Sequence, residues 1–415
     1  MRPLPRSFRA ARLLLALAGV LLARTAVAES TPTVIFDMDT VVHQPGEFTG
    51  KDNKKIPAGT VESVEGKFGK AVKFTFAEGS QGGFMTARVR PDAKWDGAAG
   101  FSFWVKGDGS QSFGGIELVD KDDFGLRYAY CFPIESTQWQ KIVVPWGDLT
   151  PELAGPMVGG KGGYAPSSFG NFWFGKWFYW RDYPAHSYAI DQVVLEPEIA
   201  PEAQVAFEPG LKRLRAKLAA HKPVTIVTMG DSLSDTHHWS NKTVLWSQLL
   251  AKDLKTKYGS EVTLINPAIG GTSLSQNMVL MPRWGRQAPS PDLVTVWFGG
   301  NDWDSNVRGP RFAEYLRVAV DRIRRQTHGG ADVLLMTTCP GHARWETLRE
   351  LEQAVRDVAA EKKTGLADIA AEFHKVPTAD EALKQEYWAW DKVHLGTKGH
   401  EVTKDAVIKA IDAAK

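Results

Sequence analysis

From residue 222 onward, short apolar strands alternate with longer helical segments, and this alternation narrows the available folds more than any other feature. The predicted strands are Val224–Thr228, Val262–Ile265, Leu293–Trp297 and Val333–Thr337, and the predicted helices span about 244–258, 311–326, 345–362 and 397–413. Strands that are separated by helices pair in parallel, with helices covering both faces of the sheet. We therefore predict a three-layer α/β domain over residues 222–415.

Residues 31–197 show a different pattern, in which short alternating strands are separated by Gly, Asp and Pro turns. The predicted strands are Thr33–Phe36, Ala71–Phe76, Phe101–Val105, Ile116–Val119, Trp139–Val144 and Tyr188–Leu195. This spacing, without a helical period, predicts an all-β sandwich. Residues 198–221 are predicted to be a linker followed by a short basic helix. A length of 415 residues agrees with two domains.

The N-terminal segment has the pattern of a signal peptide. Arginines at positions 2, 6, 9 and 12 precede an apolar run, Leu13–Leu22, and Ala26-Val27-Ala28 has the small residues of a cleavage site. An uncleaved anchor is the alternative, but the run is shorter than the roughly 20 residues that span a bilayer. We expect cleavage after residue 28, export to the periplasm or medium, and no membrane association afterwards.

The net charge argues against a nucleic-acid partner, and the positions of the two cysteines argue against a disulfide. The formal net charge is +2, so the chain lacks the field expected of a nucleic-acid-binding protein. Cys131 and Cys339 fall in different predicted domains, where a disulfide would need close Cα atoms, and we favour two free buried thiols. Asp37, Asp39 and Asp191 could ligate a structural calcium, but we assign no metal site.

Polar and glycine residues follow three of the predicted parallel strands, where ligands bind in an open α/β sheet. Ser232 follows the first strand, Gly270-Gly271 the second, and Asn301 the third. A separate stretch before the last helix brings an aspartate and a histidine three residues apart, Asp391 and His394, which can share a hydrogen bond. Each of these elements alone is also an ordinary turn or helix cap. Their occurrence together predicts a serine nucleophile with a histidine base.

The four elements together resemble the SGNH hydrolases, also called the GDSL family, over about residues 222–413. Gly230-Asp231-Ser232 resembles the family's first block, Gly271 its second, Gly299-Gly300-Asn301-Asp302 its third and Asp391-Lys392-Val393-His394 its last. The resemblance implies a flavodoxin-like three-layer α/β fold. It also implies an esterase that needs no metal and no organic cofactor.

By this resemblance, Ser232 attacks an acyl carbonyl, His394 takes its proton and Asp391 orients His394. The N–H groups of Ser232 and Gly271 and the side-chain amide of Asn301 form the oxyanion hole, although Gly270 also fits the glycine position.

Several other residues lie close to these motifs. His400 resembles a position that caps the last helix of the site, and it is given no catalytic role. His237 and His238 follow the nucleophile turn and are expected to line the acyl pocket or lie on the surface. Trp239, Trp297 and Trp303 flank the motifs, with Trp297 expected in the core and Trp303 beside the site.

The β-region resembles galactose-binding-like β-jelly-roll domains, a group that includes many carbohydrate-binding modules. The resemblance rests on Trp139–Leu149 and Tyr188–Val193. Aromatic residues are dense between Trp173 and Tyr183, and aromatic faces stack on sugar rings as readily as they fill cores. The candidate carbohydrate-binding residues are Trp177, Tyr179 and Trp180.

A jelly roll ahead of an SGNH domain resembles two-domain polysaccharide deacetylating esterases, so an acylated carbohydrate or polysaccharide is the expected substrate, with acetyl as the expected acyl group. Three alternatives stay open: a lipase or lysophospholipase, a glycan O-acyltransferase with the same triad, and a non-catalytic glycan-binding protein. Retention of Ser232, Asn301, Asp391 and His394 together argues against the last.

Overall fold

The computed structural model describes residues 33–39, 43–45, 48–49, 55–56, 59–78, 82–86, 88–160, 162–176, 184–201 and 204–414. Chain contacts divide the protein into residues 1–31 and one compact unit, residues 32–415. The predicted signal peptide and the aromatic residues Trp177, Tyr179 and Trp180 lie outside the described residues, so their assignments stay predictions.

The N-terminal part of the compact unit is a β-sandwich, as predicted. Its strands are β1 (Thr33–Phe36), β2 (His43–Pro45), β3 (Phe48–Thr49), β4 (Lys55–Ile56), β5 (Thr60–Glu65), β6 (Lys70–Phe76), β7 (Gly82–Thr86), β8 (Gly100–Gly107), β9 (Phe113–Asp120), β10 (Arg127–Pro133), β11 (Gln140–Pro145), β12 (Thr150–Pro151), β13 (Phe169–Lys176) and β14 (His186–Glu196), with a short helix α1 (Ala93–Gly97). One antiparallel sheet has the order β11-β8-β14-β6-β5, with β1 also on β14, and the other has the order β12-β10-β9-β13-β7-β2.

Aromatic side chains fill the space between the two sheets. Phe74 of one sheet stacks on Phe174 of the other with ring centroids 5.5 Å apart. Phe103 meets Phe132 edge to face at 5.0 Å. Offset and edge-to-face pairs are the favoured aromatic geometries, and each adds to the gain from burying apolar area. Much of the aromatic content of this region is therefore core.

Strand β9 is buried on both faces, which an ordinary sandwich strand is not. Alternate residues of β9 point into the sandwich core, and Phe113 points the other way. On that outer face a second apolar cluster joins the two parts of the chain. Its members are Phe113, Ala129, Cys131, Ile269, Val279 and Leu280. We call this cluster the interdomain patch.

Hydrogen bonds also join the two domains, one of them within the interdomain patch. The Cys131 thiol donates to the carbonyl of Val279 at 2.8 Å. Tyr315 accepts from the Gly155 amide at 3.1 Å and donates to the Gly155 carbonyl at 2.7 Å. Both cysteines are free and buried, as favoured from the sequence.

The C-terminal part is the predicted α/β domain. Its strands are β15 (Val224–Gly230), β16 (Val262–Ile265), β17 (Leu293–Trp297), β18 (Asp332–Met336) and β19 (Gly365–Ala367). Its helices are α2 (Lys212–Ala219), α3 (Trp246–Tyr258), α4 (Leu274–Val279), α5 (Met281–Gln287), α6 (Gly300–Asp304), α7 (Gly309–Gln326), α8 (Arg349–Lys362), α9 (Ile369–Phe373), α10 (Ala379–Lys384) and α11 (Thr397–Ala413).

All five strands of this sheet are parallel, in the order β16-β15-β17-β18-β19. This is the 2-1-3-4-5 order of flavodoxin-like folds, whose ligands bind beyond the carboxyl ends of the strands. The fold class predicted from the sequence is confirmed. The carboxyl ends of β15 and β17 are neighbours in register, with Gly230 opposite Trp297, so the turns that follow them meet at one edge.

Within the described ranges, the structure has no helix long and apolar enough to cross a membrane.

Glu117, on the outer face of β9, leads to a testable prediction about stability and pH. Burial, and then the neighbouring carboxylate of Glu152, raise the pKa of Glu117 well above its ordinary value of 4.5. The folded protein therefore keeps a proton that the unfolded chain has already released. The free energy of unfolding should fall as the pH rises from about 4.5 through the raised pKa.

Glu117→Gln mimics the protonated carboxyl, so it should remove this slope and make the protein more stable than wild type at about pH 8, by about 1 kcal/mol or more. Urea unfolding at about pH 5 and pH 8 measures the difference. Glu62→Gln, on the exposed strand β5, is the matched control and should leave the slope unchanged. An unchanged pH slope in Glu117→Gln would contradict the assignment.

Candidate active site

Ser232 lies in a tight turn directly after β15. The Asp231 carboxylate accepts the N–H of Leu233 at 3.0 Å, and the Asp231 carbonyl accepts the N–H groups of Ser234 and Asp235. These hydrogen bonds to Asp231 close one helical turn and hold the backbone around Ser232 in place. Burial raises the pKa of Asp231 to about 6. The turn leaves the Ser232 hydroxyl at the carboxyl edge of the sheet.

The structure brings Ser232, Asp391 and His394 together. His394 Nε2 lies 2.9 Å from Ser232 Oγ, and His394 Nδ1 lies 2.5 Å from Asp391 Oδ2. An imidazole between a hydroxyl and a carboxylate is the arrangement that takes a proton from a serine nucleophile.

The turn that holds Asp391 and His394 is locally constrained. Asp391 Oδ1 accepts the N–H groups of Val393 and His394 at 3.2 and 3.1 Å. Lys392 between them adopts a left-handed conformation with φ 63°, which costs a non-glycine residue about 1 kcal/mol or more. Burial alone would raise the pKa of Asp391, but the hydrogen bonds from His394 and Val393 hold it below its ordinary value. Asp391 is therefore ionised at neutral pH and fixes the orientation of the His394 ring.

Three candidate donors for an oxyanion lie beside Ser232. Neither the Ser232 N–H nor the Gly271 N–H meets a hydrogen-bond acceptor among the described residues. The Gly270 N–H, by contrast, donates to the Asp235 carboxylate at 2.8 Å. This difference favours Gly271 over Gly270 as the glycine donor. A Cβ on Gly270 would lie 3.4 Å from the Ser232 Cβ, so the glycine turn packs directly against the nucleophile.

Asn301 is the third candidate donor, at the start of α6 after β17. Its side-chain amide donates to the Thr272 carbonyl at 3.0 Å and lies 3.4 Å from the Asp231 carboxylate. Gly299 allows this position, because its φ is 137° and a Cβ there would lie 2.2 Å from the Thr338 hydroxyl. The Asn301 amide is therefore held between the turns after β15 and β16 and lines the same pocket as Ser232, and of its two N–H groups the one on the long contact to Asp231 is the one available to an oxyanion.

A pocket of about 280 Å³ opens beside Ser232 and Asn301. It lies between the turn after β17, the segment after β18 and the turn that carries Asp391. Its apolar lining residues are Leu233, Trp297, Phe298, Ala343, Leu348 and Val393. Arg344 on its wall pairs with Asp304. The pocket can therefore receive an apolar group attached to a carbonyl at Ser232.

Two tryptophans and a histidine form an aromatic group beside the His394 ring. His238 stacks on His394 with ring centroids 4.0 Å apart. Trp239 meets His394 edge to face at 5.8 Å, and Trp390 stacks on Trp239 at 5.3 Å. Trp390 is 81% exposed and Trp239 is 45% exposed. The sequence placed Trp239 near the motifs but gave no sign that Trp390 would join it.

The remaining predicted neighbours have simpler positions. Trp297 is buried in the core as expected and also reaches the pocket. The Trp303 ring lies 3.8 Å from the Arg308 guanidinium. His237 is largely exposed, and His400 is buried behind α3, where burial lowers its pKa to about 4.

The described residues contain no group of His, Cys, Asp or Glu that could hold a metal. Asp191 and Asp39, the candidate calcium ligands of the sequence, instead accept backbone N–H groups of Lys67, Phe68 and Lys70.

Asn241 is a part of the site that sequence reasoning missed. It is 3% exposed, and its side-chain amide donates to the carbonyls of Ser232 and Asp235 at 2.8 and 2.7 Å. Its carbonyl oxygen accepts from the Ser240 hydroxyl at 3.0 Å. Asn241 therefore ties the end of the nucleophile turn to the loop that carries His238. Nothing in the local sequence distinguishes it from a surface asparagine.

Comparisons with known families agree with this architecture. Residues 228–402 match the model of the GDSL-like lipase/acylhydrolase family, and residues 31–155 match that of the carbohydrate binding domain, family 11. Both resemblances inferred from the sequence are confirmed. No curated protein matches the chain in sequence.

Several solved structures are similar. Axe2, an acetylxylan esterase from Geobacillus stearothermophilus, is 21% identical, with a TM-score of 0.38 over 46% of this chain and 96% of that one. A lipase/acylhydrolase from Enterococcus faecalis is 22% identical, with a TM-score of 0.37 over 45% of this chain and 95% of that one. The YxiM protein from Bacillus subtilis is 16% identical, with a TM-score of 0.38 over 85% of this chain and 87% of that one.

Asn241→Ala tests the support of the nucleophile turn. Two buried carbonyls lose their donor, so the free energy of unfolding should fall by about 1–3 kcal/mol. A less firmly held Ser232 should lower kcat for ester hydrolysis more than it changes KM. Steady-state kinetics and urea unfolding measure both effects. Gln353→Ala, which removes an exposed amide from α8, is the control; a loss no greater than in this control would show that Asn241 does not support the turn.

Proposed function

We propose that this chain, which joins a GDSL-like acylhydrolase domain to a carbohydrate-binding domain, is a serine esterase that hydrolyses acyl esters of carbohydrates. The observation that carries the proposal is the hydrogen-bonded series Ser232–His394–Asp391 beside three candidate oxyanion donors. The family matches support an ester hydrolase and a carbohydrate substrate.

In the proposed mechanism, Ser232 Oγ adds to the acyl carbonyl carbon while His394 Nε2 takes the hydroxyl proton. The carbonyl oxygen becomes an oxyanion that accepts hydrogen bonds from Ser232 N–H, Gly271 N–H and the Asn301 amide. His394 then gives its proton to the leaving alcohol as the ester C–O bond breaks, which leaves an acyl group on Ser232. A water molecule then attacks the acyl carbonyl while His394 takes its proton. His394 returns the proton to Ser232 Oγ as the carboxylic acid is released.

Asp391 acts through His394 in this mechanism. Its hydrogen bond to Nδ1 keeps Nε2 free to accept the serine proton, and its charge stabilises the imidazolium that forms. The hydrogen bonds that lower the pKa of Asp391 keep that charge in place at neutral pH. The left-handed Lys392 is the backbone feature that lets one short turn supply both side chains.

We propose a polysaccharide as the substrate and acetyl as the acyl group, because a jelly roll ahead of an SGNH domain resembles two-domain polysaccharide deacetylating esterases. The pocket beside Ser232 supports a second candidate, a longer acyl group, because about 280 Å³ with a largely apolar lining exceeds the needs of one methyl group. The N-terminal pattern further supports a proposal that the enzyme is exported and acts in the periplasm or the medium.

Ser232→Ala tests the nucleophile. The hydroxyl is partly exposed and makes one side-chain hydrogen bond, so its removal should leave the fold intact. Ester hydrolysis should fall by at least about 1,000-fold, because no other group can form the acyl-enzyme. Release of acetate from acetylated xylan, glucomannan and pectin measures the loss, with Ser290→Ala, at an exposed serine of the same domain, as the control. A Ser232→Ala enzyme that keeps more than a few per cent of its activity would exclude this mechanism.

A series of p-nitrophenyl esters from acetate to decanoate decides between the two acyl groups. If acetyl is the natural group, kcat/KM should be highest for acetate and fall with chain length. Leu348→Trp would narrow the apolar pocket, so it should reduce activity on longer esters more than on acetate. A maximum at six or more carbons in the wild type would instead support the longer acyl group.

A further inference from the structure

The geometry points to a sugar-binding platform formed by Trp239 and Trp390, which holds the pyranose ring of the leaving alcohol beside His394. This inference rests on the proposed function and names a part of the substrate and the surface that holds it.

The two tryptophans are unusual in their exposure. Trp390 is 81% exposed and Trp239 is 45% exposed, although tryptophan is among the side chains that gain most from burial. The rings stack on each other with centroids 5.3 Å apart and planes 27° from parallel. The stack fixes both rings, while most of the Trp390 surface faces solvent. Fixed, exposed indole faces are the surfaces on which the C–H faces of a pyranose pack.

The location of the platform follows from the proton transfer. His394 Nε2 must protonate the leaving oxygen, so that oxygen lies within hydrogen-bond reach of Nε2 in the productive complex. The Trp239 ring is 5.8 Å from the His394 ring, and Trp390 immediately precedes Asp391. A ring carried by the leaving oxygen therefore extends over the tryptophans.

The acyl group has a separate place. The apolar pocket is lined by Leu233, Phe298 and Val393, and its lining does not include Trp239 or Trp390. The two halves of an ester substrate are thus divided between two surfaces. The half that lies on the tryptophans is the alcohol, and in a carbohydrate ester the alcohol is the sugar.

Two acetates that differ only in the alcohol test this division: a mono-acetylated methyl β-xylopyranoside and ethyl acetate. In Trp390→Ala, the ratio of kcat/KM for the sugar acetate to that for ethyl acetate should fall about tenfold, mainly through KM. Trp239→Ala should lower the ratio similarly, and Trp390→Phe should restore most of it because a ring remains. Phe124→Ala, which removes an exposed aromatic ring from the β-sandwich, is the control and should leave the ratio unchanged.

The outcomes separate the platform from the proposed function. If the wild type cleaves both acetates and Ser232→Ala cleaves neither, the esterase stands. Equal losses on both esters in Trp390→Ala, or no loss on either, would then overturn the platform alone. A change in oligomeric state of Trp390→Ala with an unchanged ratio would likewise overturn it and identify a self-association surface. Failure of the wild type to cleave either ester would overturn both.

Discussion

The hydrogen bond between Ser232 and His394 joins residues 162 positions apart, and the geometry of the candidate site depends on it. Such a contact requires that the end of β15 and the turn before α11 be held at fixed positions. The parallel sheet does this for Ser232, because β15 lies between β16 and β17. The 391–394 turn follows no strand of the sheet, and it is held by its own hydrogen bonds, by the strained Lys392 and by backbone hydrogen bonds to Ala389 and His342. One half of the site is therefore positioned by the fold and the other half by local structure.

The sandwich contributes to the site without supplying a reacting group. Ile269, in the interdomain patch, immediately precedes the Gly270-Gly271 turn that lies against Ser232. The apolar contacts that fix the glycine turn thus include Ala129 and Cys131 of the sandwich. This explains why β9 is buried on both faces. The N-terminal domain therefore helps to support the candidate site of the C-terminal domain.

Much of this arrangement could be predicted from the sequence, because periodicity reports which residues are buried. Strands β16 and β17 and helix α11 have the bounds that the pattern predicts, since each is long enough to show its period. Strand β19 was missed because three residues are too few to show an alternating pattern. Helices α4 and α5 were missed because each has fewer than two turns, which is too short to show an amphipathic period. Ser232, Gly271 and Asn301 stood out because they follow strand ends, and Asp391 and His394 stood out because they are three residues apart directly before the last helix. Asn241 and Trp390 did not stand out, and the stacking of His238 on His394 could not be foreseen, because these contacts join distant segments and leave no local pattern.

The interdomain patch also constrains how the two domains can evolve. Half of its residues come from each domain, so an exchange of the sandwich for another β-domain would leave Ile269 and Val279 against an unmatched surface. The Val279 carbonyl would also lose the thiol of Cys131. Recombination at the linker between the domains, which looks from the sequence like a simple joint, would therefore disturb the glycine turn beside the nucleophile. Such a pair of domains is expected to be inherited together, with substitutions on one side of the patch matched by substitutions on the other.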